Sequence, residues 1–157
     1  MSVRWLGVTV SGDKAVLVDA TVPVGAGEIV INADFNVKLQ KGQRAEAYAV
    51  FSQEIYDYAK ENGIERAAVK GSAVSQQGRP TLAHFEAAEL RGVAIGALAS
   101  VCPTETITKA TISRNYGDRK ADEYIGDDTF WQEKFTGSAL RAGSREAAFC
   151  ILAKCEK

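Results

Sequence analysis

Apolar and polar residues change rhythm along this chain, and the changes mark out its elements. Val3–Val10 alternates and is rich in β-branched residues, as a strand should be. Ser11-Gly12-Asp13-Lys14 is a turn cluster, and Ala15–Val22 returns as a second strand. A break with two glycines precedes Glu28–Ala33, a third strand that Phe35–Leu39 either extends or pairs with separately. Such short connections predict an antiparallel meander. After Gly42 the period lengthens. Tyr48, Phe51, Ile55 and Tyr58 or Ala59 recur at helical spacing, which predicts a helix over Arg44–Asn62 ended by Gly63. Glu65–Lys70 then reads as a short, mostly apolar strand of the kind buried in parallel sheets.

Gly71–Pro80, "GSAVSQQGRP", is the most loop-like stretch of the chain. Thr81 follows as the N-cap of a long alanine-rich helix over Leu82–Val101, with Pro103 just past its end. Glu105–Ser113 alternates strongly and predicts a strand. Tyr116–Gly126 and Asp127–Gly137 are short, charged and partly helical, and Ser138–Gly143 is a connector. Ser144–Cys155 closes the chain as an apolar helix with Ser144 as N-cap and Glu146 in its first turn. The predicted order, β-β-β-α-β-α-β-α, is α/β: a three-strand meander, then parallel strands, with helices on both faces.

Composition narrows the function classes more than it identifies one. The 157 residues are 46% hydrophobic and 25% charged, the balance of a single globular domain over 1–157. A net charge of −1 gives no global basic surplus, and no apolar run approaches a membrane span. We therefore expect a cytoplasmic protein with no membrane partner. Cys102, Cys150 and Cys155 are odd in number, and the only histidine is His84, so neither a disulfide framework nor a zinc site is expected. His84 has no acid/base partner nearby in sequence and reads as an edge residue. There is no nucleophile elbow, P-loop, dinucleotide fingerprint or H-E-x-x-H. Basic residues gather in the last third (Arg114, Arg119, Lys120, Arg141, Arg145), but Asp118, Asp122, Glu123, Asp127 and Asp128 interleave with them, as on a solvated charged surface. Phe130, Trp131 and Phe135 form an aromatic cluster that is either a core plug or a dimer contact.

The element order resembles the ribonuclease H-like superfamily, and four stretches resemble its RuvC branch, the Holliday-junction resolvases and their small bacterial relatives. "LGVTVSG" resembles the first strand, and "AAVKGSAVS" resembles the fourth strand entering its loop. "EAAELRGVAIGAL" resembles the helix after that loop, and "SREAAFCILA" resembles the last helix. The resemblance implies a fold with helices on both faces of a mixed sheet. It also implies chemistry by acidic residues of the first strand, the fourth strand and the last helix, which hold two divalent metals. Matched motif to motif, those three positions fall on Thr9, Lys70 and Glu146, and only Glu146 is a carboxylate. Magnesium and manganese require hard oxygen ligands, and an ammonium repels them.

The resulting expectation is a degenerate metal site with no cofactor. If Lys70 and Glu146 meet at the strand ends, they form an ion pair there. The domain would then bind nucleic acid or another protein as a scaffold, and the small-residue helix and exposed aromatics point to a homodimer. Candidate binding residues are Lys70, Ser72, Ser75 and Arg79, with Gln76 and Gln77 in the same loop. Two alternatives stay open. One is an active magnesium- or manganese-dependent nuclease with a rearranged acidic set, Asp19 with Glu146 and one further carboxylate. The other is a small-molecule or protein-binding module that uses the loop 71–80. Lys70 and Glu146 also have plainer readings, a solvated strand-end lysine and a carboxylate favoured by the helix dipole.

Overall fold

A computed structural model of the chain describes residues 1–72 and 78–156. Ser75, Gln76 and Gln77 lie outside the described residues. The first three strands, β1 (Ser2–Val10), β2 (Lys14–Pro23) and β3 (Ile29–Lys38), form the expected meander. Phe35 and its neighbours continue the third strand. Next come α1 (Arg44–Glu61), β4 (Arg66–Lys70), α2 (Leu82–Ala99) and β5 (Thr104–Ile107). The chain continues through α3 (Lys109–Asn115), α4 (Ala121–Ile125), α5 (Asp128–Lys134) and β6 (Phe135–Gly137). A single 3₁₀ turn, Ala142–Ser144, leads into α6 (Arg145–Cys155).

The six strands run in the order β5-β4-β1-β2-β3-β6. The β1–β2 and β2–β3 pairs are antiparallel, and β4, β5 and β6 add to this meander in parallel pairings. Because side chains alternate across a strand, the sheet builds two cores. Leu6, Val8, Leu17, Ala67 and Val69 face α1 and α2. Trp5, Val18, Ala68 and Ile107 face α6 and the short helices α3–α5.

The last third departs from the sequence expectation in two places. The strand expected over Glu105–Ser113 stops at Ile107. The Thr108 hydroxyl accepts a hydrogen bond from the Thr111 backbone at 3.2 Å and starts α3. Ile107 and Ile112 are both buried, so the alternating pattern "TITKATIS" satisfies the core as a strand followed by a helix. The three-residue strand β6 pairs Phe135 with Ile29 at the sheet edge, within a stretch read as partly helical. The aromatic cluster is a core plug. Trp131 and Phe135 are buried and stack with ring centroids 5.1 Å apart, and Phe149 of α6 closes over Trp131. His84 is exposed and completes a capping box with Thr81 at the start of α2.

Gly7 determines how close α6 lies to the sheet. A β-carbon built on Gly7 would fall 2.1 Å from the Ala147 carbonyl oxygen. Such contacts do not occur, so the helix backbone must cross β1 where no side chain stands. Gly7→Ala is expected to lower the unfolding free energy by about 1–3 kcal/mol through this overpacking, measured by urea denaturation. A variant as stable as the parent would show that α6 does not cross there.

Candidate functional site

The close crossing at Gly7 brings the first turn of α6 to the carboxyl ends of β1 and β4. In the parallel pairing Gly7 lies beside Ala68 and Val8 beside Val69, which leaves Thr9 and Lys70 as the next neighbours. Both lie on the α6 side of their strands by alternation. Lys70 Nζ donates to Glu146 Oε2 at 3.0 Å, with the two side chains 27% and 36% exposed. The structure therefore brings Thr9, Lys70 and Glu146 together on one cleft of about 270 Å³. Val10, Ser11, Lys14 and Val16 of the first hairpin, Gly71 after β4, and Arg91 of α2 complete its lining.

A clamp on β3, in the same cross-strand row as Gly7, holds the start of α6. The Asp34 carboxylate of β3 accepts bonds from the Arg141 backbone at 2.9 Å, from the Arg141 guanidinium at 2.7 Å and from the Ser144 hydroxyl. Burial alone would raise the Asp34 pKa, but Arg141 and Ser144 outweigh it and hold the carboxyl below its usual range. Ser144 thus anchors the helix through Asp34 and makes no side-chain cap on α6 itself. Glu146 lies two residues further on.

Arg91 was not singled out by its sequence context, although it stands within the stretch that resembles the family helix. Its signal was the one lysine or arginine of α2, opening a run of small and apolar residues, with Leu90 and Ala94 buried beside it. One guanidinium nitrogen donates to the Ser72 hydroxyl, and another reaches the Val10 carbonyl at 3.4 Å. Its Nε is buried and has no acceptor among the described residues. Burial pushes the guanidinium pKa down from its ordinary value.

The other candidates lie elsewhere. Ser72 sits at the cleft edge under Arg91, and Arg79 is exposed and does not line the cleft. Asp19 is fully buried on the opposite face of the sheet, among the side chains that meet α1. Its carboxylate accepts two bonds from Arg4 at 2.9 and 2.7 Å, one from Tyr58 at 2.7 Å and one from Asn32 at 3.2 Å. It cannot reach Glu146 through the sheet. Cys150 packs beside Lys70 and Glu146, but burial pushes its thiol up to about 12, which leaves no thiolate for nucleophilic work at neutral pH. Of the basic residues of the last third, Arg119 pairs with Asp127 and Arg145 with Asp128, while Arg141 reaches back to Asp34 of β3.

The donor set of the cleft does not fit a divalent cation. Its one carboxylate is held by an ammonium, its threonine offers a neutral hydroxyl, and Lys14 and Arg91 add two more positive charges. Among the described residues no group of three histidine, cysteine, aspartate or glutamate side chains could hold a metal ion. The cleft can instead attract anions, because cationic groups between low-dielectric walls focus a positive field outward.

Protein-family models and curated protein sequences give no match to this chain. Solved structures do. The chain is similar to RuvC of Thermus thermophilus, with a TM-score of 0.71 at 12% identity over 96% of this chain and 92% of that one. The same protein in complex with its Holliday junction substrate gives 0.65 at 13% identity, over 96% and 91%. The yeast mitochondrial Holliday junction resolvase Ydc2 gives 0.60 at 11% identity, over 98% of this chain and 76% of that one. At these identities the likeness shows the fold alone, a RuvC-type arrangement of a mixed sheet with helices on both faces.

Proposed function

We propose that this RuvC-type fold serves as a nucleic-acid-binding domain that has exchanged metal-dependent hydrolysis for a cationic cleft, acting as one domain over residues 1–157. The observation that carries the reading is the Lys70–Glu146 ion pair at the meeting point of β1, β4 and α6. A two-metal nuclease needs carboxylates there to hold the cations that activate water and stabilise the leaving oxygen. An ammonium at Lys70 opposes such cations and favours the phosphates of a bound strand. The structure of a RuvC with a Holliday junction substrate supports nucleic acid as the ligand class over a protein partner. Among the described residues no helix is long and apolar enough to cross a membrane. A cytoplasmic location is part of this proposal.

The test is one set of gels with labelled four-way-junction, duplex and single-stranded DNA, run with manganese or with EDTA. The expected result is a shift that persists in EDTA and no cleavage in manganese. Metal-dependent cleavage that disappears in Glu146→Gln would overturn the reading.

We further propose that the domain works as a homodimer paired through the outer face of α2. Leu82 and Phe85 are 73% and 56% exposed there, and the exposed Gly92 and Gly96 continue the face toward its end. Two copies can approach closely along such a face, burying the two apolar residues. Phe85→Glu is expected to convert a dimer to a monomer in light scattering while the circular dichroism spectrum stays that of the parent, with a melting temperature that no longer rises with protein concentration. A parent protein that is monomeric at high concentration would exclude the pairing.

A further inference from the structure

We propose that Arg91 is the phosphate-recognising residue of the cleft, and that one phosphate group of a nucleic-acid strand seats between Arg91 and Lys14. The inference rests on the functional reading above and specifies its ligand chemistry. Several arginines show what a settled guanidinium looks like in this fold. Arg4 holds Asp19, Arg119 holds Asp127, Arg141 holds Asp34 and Arg145 holds Asp128. Arg91 makes no such ion pair among the described residues. Its partners are a neutral hydroxyl and a carbonyl at the long limit of hydrogen bonding. Its Nε lacks an acceptor among those residues, as does that of Arg145, so the missing ion pair is what sets Arg91 apart.

A charge withdrawn from water without a counter-charge is costly, and an anion in the cleft would relieve that cost. The guanidinium fork suits two oxygens of one phosphate, and Lys14 also lines the cleft without an ion pair among the described residues. The Glu146 carboxylate does not oppose this, because Lys70 already compensates it at 3.0 Å. The Thr9 hydroxyl adds a neutral group to the same lining, whereas the Ser11 hydroxyl donates to the Asp13 carboxylate at 3.2 Å. A cleft of about 270 Å³ has room for a phosphate group.

The experiment measures anisotropy of a labelled DNA strand in EDTA across a series of salt concentrations. The proteins are the parent, Arg91→Gln, Arg91→Lys and Lys14→Gln, each checked by thermal melting. Arg91→Gln is expected to weaken binding about tenfold or more, the scale of a lost charged hydrogen bond. It should also make the slope of log K against log salt shallower by about one, the signature of one lost phosphate contact. Arg91→Lys should restore the slope and part of the affinity. Lys14→Gln should reduce the slope similarly, and it carries the test if Arg91→Gln fails to fold.

A second arm titrates inorganic phosphate against ¹⁵N-labelled protein and follows the amides of Thr9, Ser11 and Gly71. DNA binding with unchanged slope in the Arg91 and Lys14 variants would overturn the seat and leave the functional reading standing. Arg91-dependent phosphate shifts without any DNA binding would keep the seat, for a small phosphorylated ligand, and overturn the functional reading. Absence of both would overturn both.

Discussion

Asp19→Ala is expected to lower the unfolding free energy by about 3 kcal/mol, the lower end of what breaking a buried ion pair costs. The carboxylate is fully buried and accepts four hydrogen bonds, two of them from Arg4. Removing it leaves the Arg4 guanidinium, the Tyr58 hydroxyl and the Asn32 amide facing an apolar gap between β2 and α1. Arg4 keeps about a third of its side chain in solvent and can partly rehydrate, which is why the lower end applies. Tyr58 cannot adjust by ionising. Burial, the largest cause of its raised pKa, persists without Asp19, so it remains a donor without an acceptor. Urea denaturation with an unchanged m-value would measure the loss. A loss below 1 kcal/mol would mean that water reaches this network. DNA binding, measured well below the melting transition, should survive, because Asp19 lies across the sheet from the cleft.

The same residue shows where sequence reasoning reached its limit. Asp19 was a fair candidate for a rearranged acidic set, since only its facing on the second strand decided the matter. Facing depends on register, and a shift of one residue exchanges the two faces. The β2–β3 register shifts where Asn32 of β3 is passed over, while β2 alternates without a break, with Ala15, Leu17 and Asp19 on one face and Val18, Ala20 and Val22 on the other. The meander, α1, β4 and α2 were legible because their periods are long and their punctuation is explicit: Gly42, Gly63 and Thr81 mark real boundaries. The region from Thr104 to Gly137 was less so. Its elements run three to seven residues, too short for a period to outweigh tertiary packing, and Thr108 capped a helix inside an alternating pattern.

For the cleft, motif matching named three residues that the structure brings together at the strand ends: Thr9, Lys70 and Glu146. Arg91 escaped notice because its meaning is relational. An arginine in a helix is ordinary, and only the absence of a carboxylate around it, visible among the described residues in three dimensions, sets it apart from Arg141 or Arg145.

If Lys70 and Thr9 are the reason this fold would not hold a metal, changing them should reverse the situation. The double variant Thr9→Asp, Lys70→Glu places two carboxylates beside Glu146 at the ends of β1 and β4. Without metal the three negative charges repel one another, and the variant is expected to melt below the parent. Manganese should then stabilise it by mass action, by about 2.7 kcal/mol at a concentration one hundred times its dissociation constant. For a domain of this size that corresponds to about 5–10 °C in melting temperature. The parent should not respond to the same titration, since its only cleft carboxylate is already compensated by Lys70. Lys70→Glu alone should behave in between, destabilised by the new like-charge contact with Glu146 and rescued only weakly by metal. A double variant that ignores manganese would show that the cleft lacks the geometry for a cation, and that more than these two side chains separates it from a nuclease centre. A parent that responds as strongly as the variant would place a cation site outside the Thr9–Lys70–Glu146 cluster and remove the basis for reading Lys70 as its replacement.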